Sequence, residues 1–204
     1  MQSSASLTIS DLWIERGERD LCKDFSFSAQ SGEVVRILGE NGAGKSSLLK
    51  VIVGVISPLE GTIVYLGEDV TLDRAPLLQD AIYIGHSVGV KSLLTVAENI
   101  RRYCPTVSPE ALSAVLKKLD LLDHMNAFAS TLSAGQLRRV ALARLWLTDK
   151  TLWLLDEPFA ALDSTAIALL EERIRLHVSS GGLVVLTTHQ ALRSLPCRDV
   201  ALMS

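Results

Sequence analysis

Aromatic side chains make up only 5% of this 204-residue sequence, and there are only three cysteines. Cys22, Cys104 and Cys197 lie far apart and form no C-x-x-C pair, which speaks against a disulfide framework or a zinc site. Reduced, partly buried thiols are the plain reading. Neither sign of charge dominates: 20 Lys and Arg face 23 Asp and Glu, for a net charge of −3, so there is no overall basic footprint for nucleic acid. Long apolar runs are missing too. The longest, residues 51–59, is too short to cross a bilayer. Residues 1–10 lack the basic stretch and apolar core of a secretory signal, so the chain is expected to begin in the cytoplasm and to need another protein if it works at a membrane. With no repeat, no low-complexity stretch and no linker rich in Pro, Gly or Ser, one domain over residues 1–204 is expected.

What the chain does have is a hydrophobic fraction of 48% against 21% charged residues, which suits a folded α/β core filled by aliphatic side chains. Short apolar runs alternate with helical patterns. Strands are expected at 7–14, 24–29, 33–38, 61–65 and 81–85, with Gly32 and Gly61 marking turns. A helix should follow Gly44 through Leu48, Leu49, Ile52 and Val53. Leu112, Val115, Leu116, Leu119 and Leu122 recur on one helix face, with Pro109 near its first turn. Residues 151–155 and 183–187 read as buried parallel strands. Asp163 or Ser164 caps a helix between them that runs to about His177, and Gly181 and Gly182 follow in a turn. The expected layout is a parallel-sheet core, a β-rich N-terminal edge and an inserted helical segment at about 87–150.

Gly39-Glu40-Asn41-Gly42-Ala43-Gly44-Lys45-Ser46 fits G-x-x-x-x-G-K-[ST] at every position, between an apolar strand and a helical pattern. Glycines let the backbone wrap a polyphosphate so that N–H groups point inward, and the following helix aims its positive end at the same anion. Lys45 adds a charge for the β- and γ-phosphates, and the Ser46 hydroxyl can ligate Mg²⁺. Ser47 belongs to the same cradle. The alternative, a plain glycine-rich turn, does not require agreement at eight positions and both flanks. The motif specifies a nucleoside triphosphate and leaves the enzyme open.

Leu152-Trp153-Leu154-Leu155-Asp156-Glu157-Pro158 is an apolar strand ending in two acids. In a parallel sheet, ligands bind beyond the carboxyl ends of strands, which puts both acids beside the phosphate cradle. Asp156 is expected to hold Mg²⁺, directly or through water. Glu157 is expected to orient or deprotonate the water that attacks the γ-phosphoryl group. An acidic turn before proline is the alternative; the phosphate loop upstream argues against it.

Leu132-Ser133-Ala134-Gly135-Gln136 opens another helical stretch at 137–147. Ser133 and Gln136 have capping-box spacing, and a serine and a glycine at a helix start also make an anion site. Here the chain resembles the ABC ATPase family, whose signature is LSGGQ, with alanine at its first glycine. The order of phosphate loop, signature, Asp-Glu strand, Ala161-Leu162-Asp163 and His189 is the same. The resemblance implies a P-loop NTPase (RecA-like) core with an antiparallel β subdomain and an inserted helical subdomain. It also implies ATP and Mg²⁺ bound between two head-to-tail subunits of a homodimer. Ser133, Gly135 and Gln136 would then meet the nucleotide of the other subunit. Asp163 would couple the two sites, and His189 would contact the γ-phosphate and the attacking water. Two positions depart from the family. His86 stands where a glutamine usually contacts metal and water, and an imidazole can hydrogen-bond there. Where an aromatic usually stacks on adenine there is Arg16, with Trp13 nearby.

Ile84-Gly85-His86, Leu132 to Gln136, Arg138-Arg139-Val140-Ala141-Leu142-Ala143-Arg144-Leu145-Trp146-Leu147 and Thr187-Thr188-His189-Gln190 together are similar to the haem exporter ATP-binding family of cytochrome c maturation. That implies a peripheral protein on the cytoplasmic face of a bacterial inner membrane, docked on integral membrane permease subunits. ATP turnover would serve haem export or release of a haem-loaded chaperone. Cys104-Pro105 is too short a motif to make a haem site, so haem is expected on the partner subunits. The ATPase of another ABC exporter or importer would share the core motifs. A soluble ABC module acting on nucleic acid would bring paired cassettes, coiled coils or basic patches, which are lacking here.

Overall fold

The computed structural model describes residues 6–17, 19–190, 192 and 194–202. Two sheets form its frame. The first is antiparallel in the order β2-β1-β4-β5, built from β1 (Ser6–Arg16), β2 (Arg19–Gln30), β4 (Glu60–Tyr65) and β5 (Glu68–Asp69). The second is parallel in the order β6-β7-β8-β3-β9, built from β3 (Val34–Leu38), β6 (Ala81–Ile84), β7 (Leu152–Asp156), β8 (Leu183–Thr187) and β9 (Arg198–Ala201). The strands expected at 7–14 and 24–29 are longer than their apolar runs. Asp11 and Asp24 sit at φ 51° and 52°, and the register shifts between Ile9 and Leu12. Aspartate tolerates this left-handed geometry, so the hairpin bends and continues.

Side chains alternate across a strand, and that period divides the interior in two. Val35 and Ile37 of β3, Leu152 and Leu154 of β7, and Leu183 and Val185 of β8 face the antiparallel sheet. Helix α1 (Lys45–Ile52) adds Leu48, Leu49 and Ile52 to that core. Val34, Trp153, Leu155, Val184 and Leu186 point the other way, against Leu170 and Ile174 of α7 (Ser164–Ser179). Both faces of the strands are covered, which is why β7 and β8 are buried along their full length. Helix α2 (Ala75–Asp80) leads into β6.

Between β6 and β7 lie α3 (Val96–Tyr103), α4 (Pro109–Lys118), α5 (Ala134–Leu142) and α6 (Arg144–Leu147), around a third apolar cluster. Thr95 and Glu98 form a capping box on α3, and Ser108 caps α4. The face expected to extend from Leu112 to Leu122 stops earlier. Leu119 ends the helix, Asp120 turns left-handed at φ 56°, and Leu122 comes out 38% exposed. The stretch expected at 137–147 is interrupted at Ala143, whose φ of −50° and ψ of −30° remain helical. No helix among the described residues is long and apolar enough to cross a membrane.

Candidate functional site

Strands β3, β8 and β7 lie side by side, so their carboxyl ends deliver three segments to one place. After β3 the chain turns through residues 39–44 into α1. Gly44 caps α1 with φ 95°, and a Cβ there would stand 2.8 Å from that of Leu21. A larger residue would meet both obstacles at once. The Lys45 ammonium donates to the carbonyls of Gly39 at 2.6 Å and Glu40 at 2.9 Å, which folds it back over the loop. Ala43 within the loop is buried.

At the end of β7, Asp156 is 1% exposed and gathers donors from three segments. Its Oδ1 accepts from Ser46 Oγ at 3.0 Å and Thr187 Oγ1 at 2.8 Å; its Oδ2 accepts from the His86 N–H at 3.3 Å. Glu157 follows at φ 49°, its N–H shared by the Thr187 Oγ1 at 3.0 Å and the Thr187 carbonyl at 3.1 Å. This turn aims its carboxylate at His189, whose Nε2 is 3.5 Å from Glu157 Oε1. That oxygen is buried and accepts no hydrogen bond among the described residues, so a lone pair is left for another donor.

The cavity enclosed by these groups is about 480 Å³. Asn41, Gly42, Gly44, Lys45, Ser46 and Ser47 of the loop line it, with His86, Asp156, Glu157 and His189. The residues 110 positions apart in sequence that were expected to meet do so, as Ser46 and Asp156. Arg16 lines the mouth. Trp13 does not: its indole N–H is held by Asp20 at 2.7 Å, and the Lys23 ammonium lies 4.3 Å from its ring centre. Among the described residues, the cavity lining contains no Phe, Tyr or Trp. Tyr83, beneath the neighbouring cleft, has its phenol pushed up to about 12 by burial, with the Asp156 charge adding to it.

Ser133, Gly135, Gln136 and Asp163 lie outside this cavity. Ser133 Oγ accepts from Gln136 N–H at 3.2 Å while Gln136 Oε1 accepts from Ser133 N–H at 2.9 Å, so the capping box forms. Gln136 Nε2 also lies 2.9 Å from His124 Nε2. Gly135 is fitted closely: a Cβ on it would stand 2.8 Å from the Ala161 carbonyl oxygen. Asp163 caps α7 by accepting from Ala166 N–H at 2.8 Å and pairs with Arg139. The helix-start hydrogen bond, reinforced by Arg139, holds its carboxyl below the usual range.

Sequence reasoning quoted two further participants within the motifs that carry the resemblance but gave neither a role in the site. Thr187 closes an apolar strand, and its hydroxyl ties Asp156 to Glu157. Arg138 is 4% exposed and donates to the carbonyls of Gly85 and His86, at 3.1 Å each. No spacing rule announces an arginine satisfied by backbone carbonyls.

The family profile for ABC transporter proteins matches residues 22–160, from the second strand through the Asp-Glu turn. The chain belongs to the ABC transporter family. Its structure superposes on an ABC transporter ATP-binding protein from Pyrococcus furiosus with a TM-score of 0.82 at 24% identity, covering 97% of each chain. A bacterial Atm1-family ABC exporter with ATP bound gives 0.83 at 22% identity, covering 92% of this chain and 35% of that one. Within the family the chain stands with the cytochrome c biogenesis ATP-binding export proteins CcmA. It is 41% identical to that of Mannheimia succiniciproducens over 95% of this chain and 92% of the relative. It is 43% identical to that of Salmonella typhi over 89% and 88%.

Proposed function

We propose that this chain is the ATP-hydrolysing subunit of an export system for c-type cytochrome assembly, carrying haem or releasing a haem-loaded chaperone. The observation that carries the reading is the match to CcmA export proteins along nearly the full length of both chains. The phosphate loop, the Asp156-Glu157 turn and His189 converging on one cavity support the ATPase part of it.

In this reading, the N–H groups of residues 39–46 and the Lys45 ammonium bind the β- and γ-phosphates. The donor set fits magnesium: a hydroxyl and a carboxylate oxygen 3.0 Å apart at Ser46 and Asp156, all oxygen, with no cage of three or more His, Cys, Asp or Glu among the described residues. Magnesium takes one or two carboxylates and completes its shell with water and substrate phosphate. It would supply charge against the phosphate oxygens. The free lone pair of Glu157 Oε1 orients the attacking water and draws its proton, and His189 hydrogen-bonds the same water or the γ-phosphate. Arg16 covers the base in place of an aromatic ring, as a planar guanidinium can. His86 contributes its backbone N–H to Asp156, with its ring at the cavity wall.

The exposed start of α5, with Ser133 and Ala134 facing solvent, supports a homodimer in which each signature closes over the other subunit's ATP. Integral membrane permease subunits would hold the dimer at the cytoplasmic face of the bacterial inner membrane and carry the haem contacts. A strain lacking this chain should lose covalently haem-bound cytochromes c while keeping b-type cytochromes. The wild-type chain should restore them and Lys45→Ala should not. Normal cytochromes c in the deletion strain would overturn the assignment.

A further inference from the structure

Arg138 lies within the first turn and a half of α5, inside the molecule rather than on its surface. Its Nη1 donates to the Gly85 carbonyl and its Nη2 to the His86 carbonyl, both at 3.1 Å. The planar fork of a guanidinium holds the two carbonyls with two separate nitrogens in a fixed geometry. The peptide unit between Gly85 and His86 carries the first of these oxygens on one edge. On its other edge it carries the His86 N–H that donates to Asp156 Oδ2 at 3.3 Å. No peptide bond among the described residues is cis. In a flat trans unit, C=O and N–H point in opposite directions, so holding the oxygen aims the hydrogen. A cation on the oxygen also polarises the amide and strengthens its N–H as a donor. Asp156 Oδ1 is already engaged by Ser46 and Thr187, and among the described residues this peptide is the protein donor to Oδ2.

We propose that Arg138 is a positioning residue of the nucleotide site: through the Gly85–His86 peptide it fixes the rotamer of Asp156, and so the placement of the magnesium-binding oxygen. The inference rests on the reading of Asp156 as the metal-holding carboxylate. It also gives α5 a second task. The helix presents Ser133 and Gly135 at its start and, one turn later, holds the peptide that donates to Asp156, so a shift of the helix reaches that carboxylate.

The test uses the full chain with Arg138→Met, which keeps the volume and removes both donors, and Arg138→Lys, which keeps the charge and lacks the fork. Binding of a fluorescent ATP analogue is measured in chelator and across a magnesium titration, beside kcat, KM and thermal melting. Arg138→Met should need on the order of tenfold more magnesium for half-maximal tight binding and lose on the order of tenfold in kcat, the equivalent of one lost hydrogen bond to a charge. Its metal-free nucleotide affinity should stay within about twofold of wild type. Arg138→Lys should fall between. If Arg138→Met does not melt cooperatively, the magnesium requirement of Arg138→Lys decides. A wild-type magnesium requirement in these variants, or a parallel loss of metal-free binding, overturns the positioning role and leaves the ATPase reading intact. A wild-type chain without magnesium-dependent binding overturns both.

Discussion

Glu157 adopts φ 49°, a left-handed conformation that costs a non-glycine residue about 1–2 kcal/mol. Thr187 offsets that cost by taking the Glu157 N–H on both its carbonyl and its hydroxyl. The result is a carboxylate thrown forward into the cavity rather than along the strand. Gly135 has the opposite problem, no spare room: the Ala161 carbonyl leaves no place for a Cβ. Gly135→Ala should therefore lose about 1–3 kcal/mol in denaturant melts, because backbone on both sides must separate. It should also lower ATP turnover, since the signature and the 161–163 turn are displaced together. An unchanged denaturation midpoint would show that the two segments do not press on each other. The glycine itself was legible as part of LSAGQ, but its neighbour was not. A contact between residues 135 and 161 depends on tertiary packing that no local spacing encodes, and the contacts of Arg138 with Gly85 and His86 were hidden for the same reason.

The elements were legible where one run carried both the propensity and the packing. Strands β7 and β8 and helix α7 begin and end within two residues of expectation, since their apolar stretches are bounded by Asp156, Asp163 and the Gly181-Gly182 turn. Strand β9 was missed because it is an edge strand whose Arg198 and Asp199 face outward, tied to Ser28, Glu33 and Arg36 rather than to a core. Helix α3 did leave a signal, the T-x-x-E of Thr95 to Glu98. Within α7, His177 stacks on Trp153 at 3.7 Å between ring centres and 9° between planes, with its Nε2 3.0 Å from the Thr151 carbonyl. Burial pushes its pKa down from 6.5 to about 4. The unfolded chain then binds the extra proton first, so this contribution is complete above about pH 6.5 and is lost as pH falls toward 4. Wild type should lose thermal stability over that window more steeply than His177→Gln. The partial exposure of the ring limits the difference to about 1–2 kcal/mol. Parallel pH–melting curves for the two proteins would refute the account.

On the scale of the whole molecule, one cavity is lined by the phosphate loop and the Asp-Glu turn, while the signature lies outside it with Ser133 and Ala134 exposed. The fold class and the cradle were readable because both depend on contiguous motifs. The trans contact proposed for Ser133 and Gly135 was readable only through resemblance, since its other half would lie in a second subunit. Glu157→Gln should bind ATP without turning it over and run as a dimer with ATP and magnesium, yet as a monomer with ADP. Light scattering behind size exclusion distinguishes these, and a monomer under both conditions would reject closure in trans.

The partners of Asp156 are spread widely along the chain: Ser46 lies 110 residues before it, His86 lies 70 before, and Thr187 lies 31 after. A truncated or half-built molecule therefore owns fragments of the grip and never the grip itself. ATP with magnesium stabilises the finished site most, because a ligand stabilises the state that can hold it. ATP with magnesium is therefore expected to protect the complete chain from proteolysis more than any truncated one.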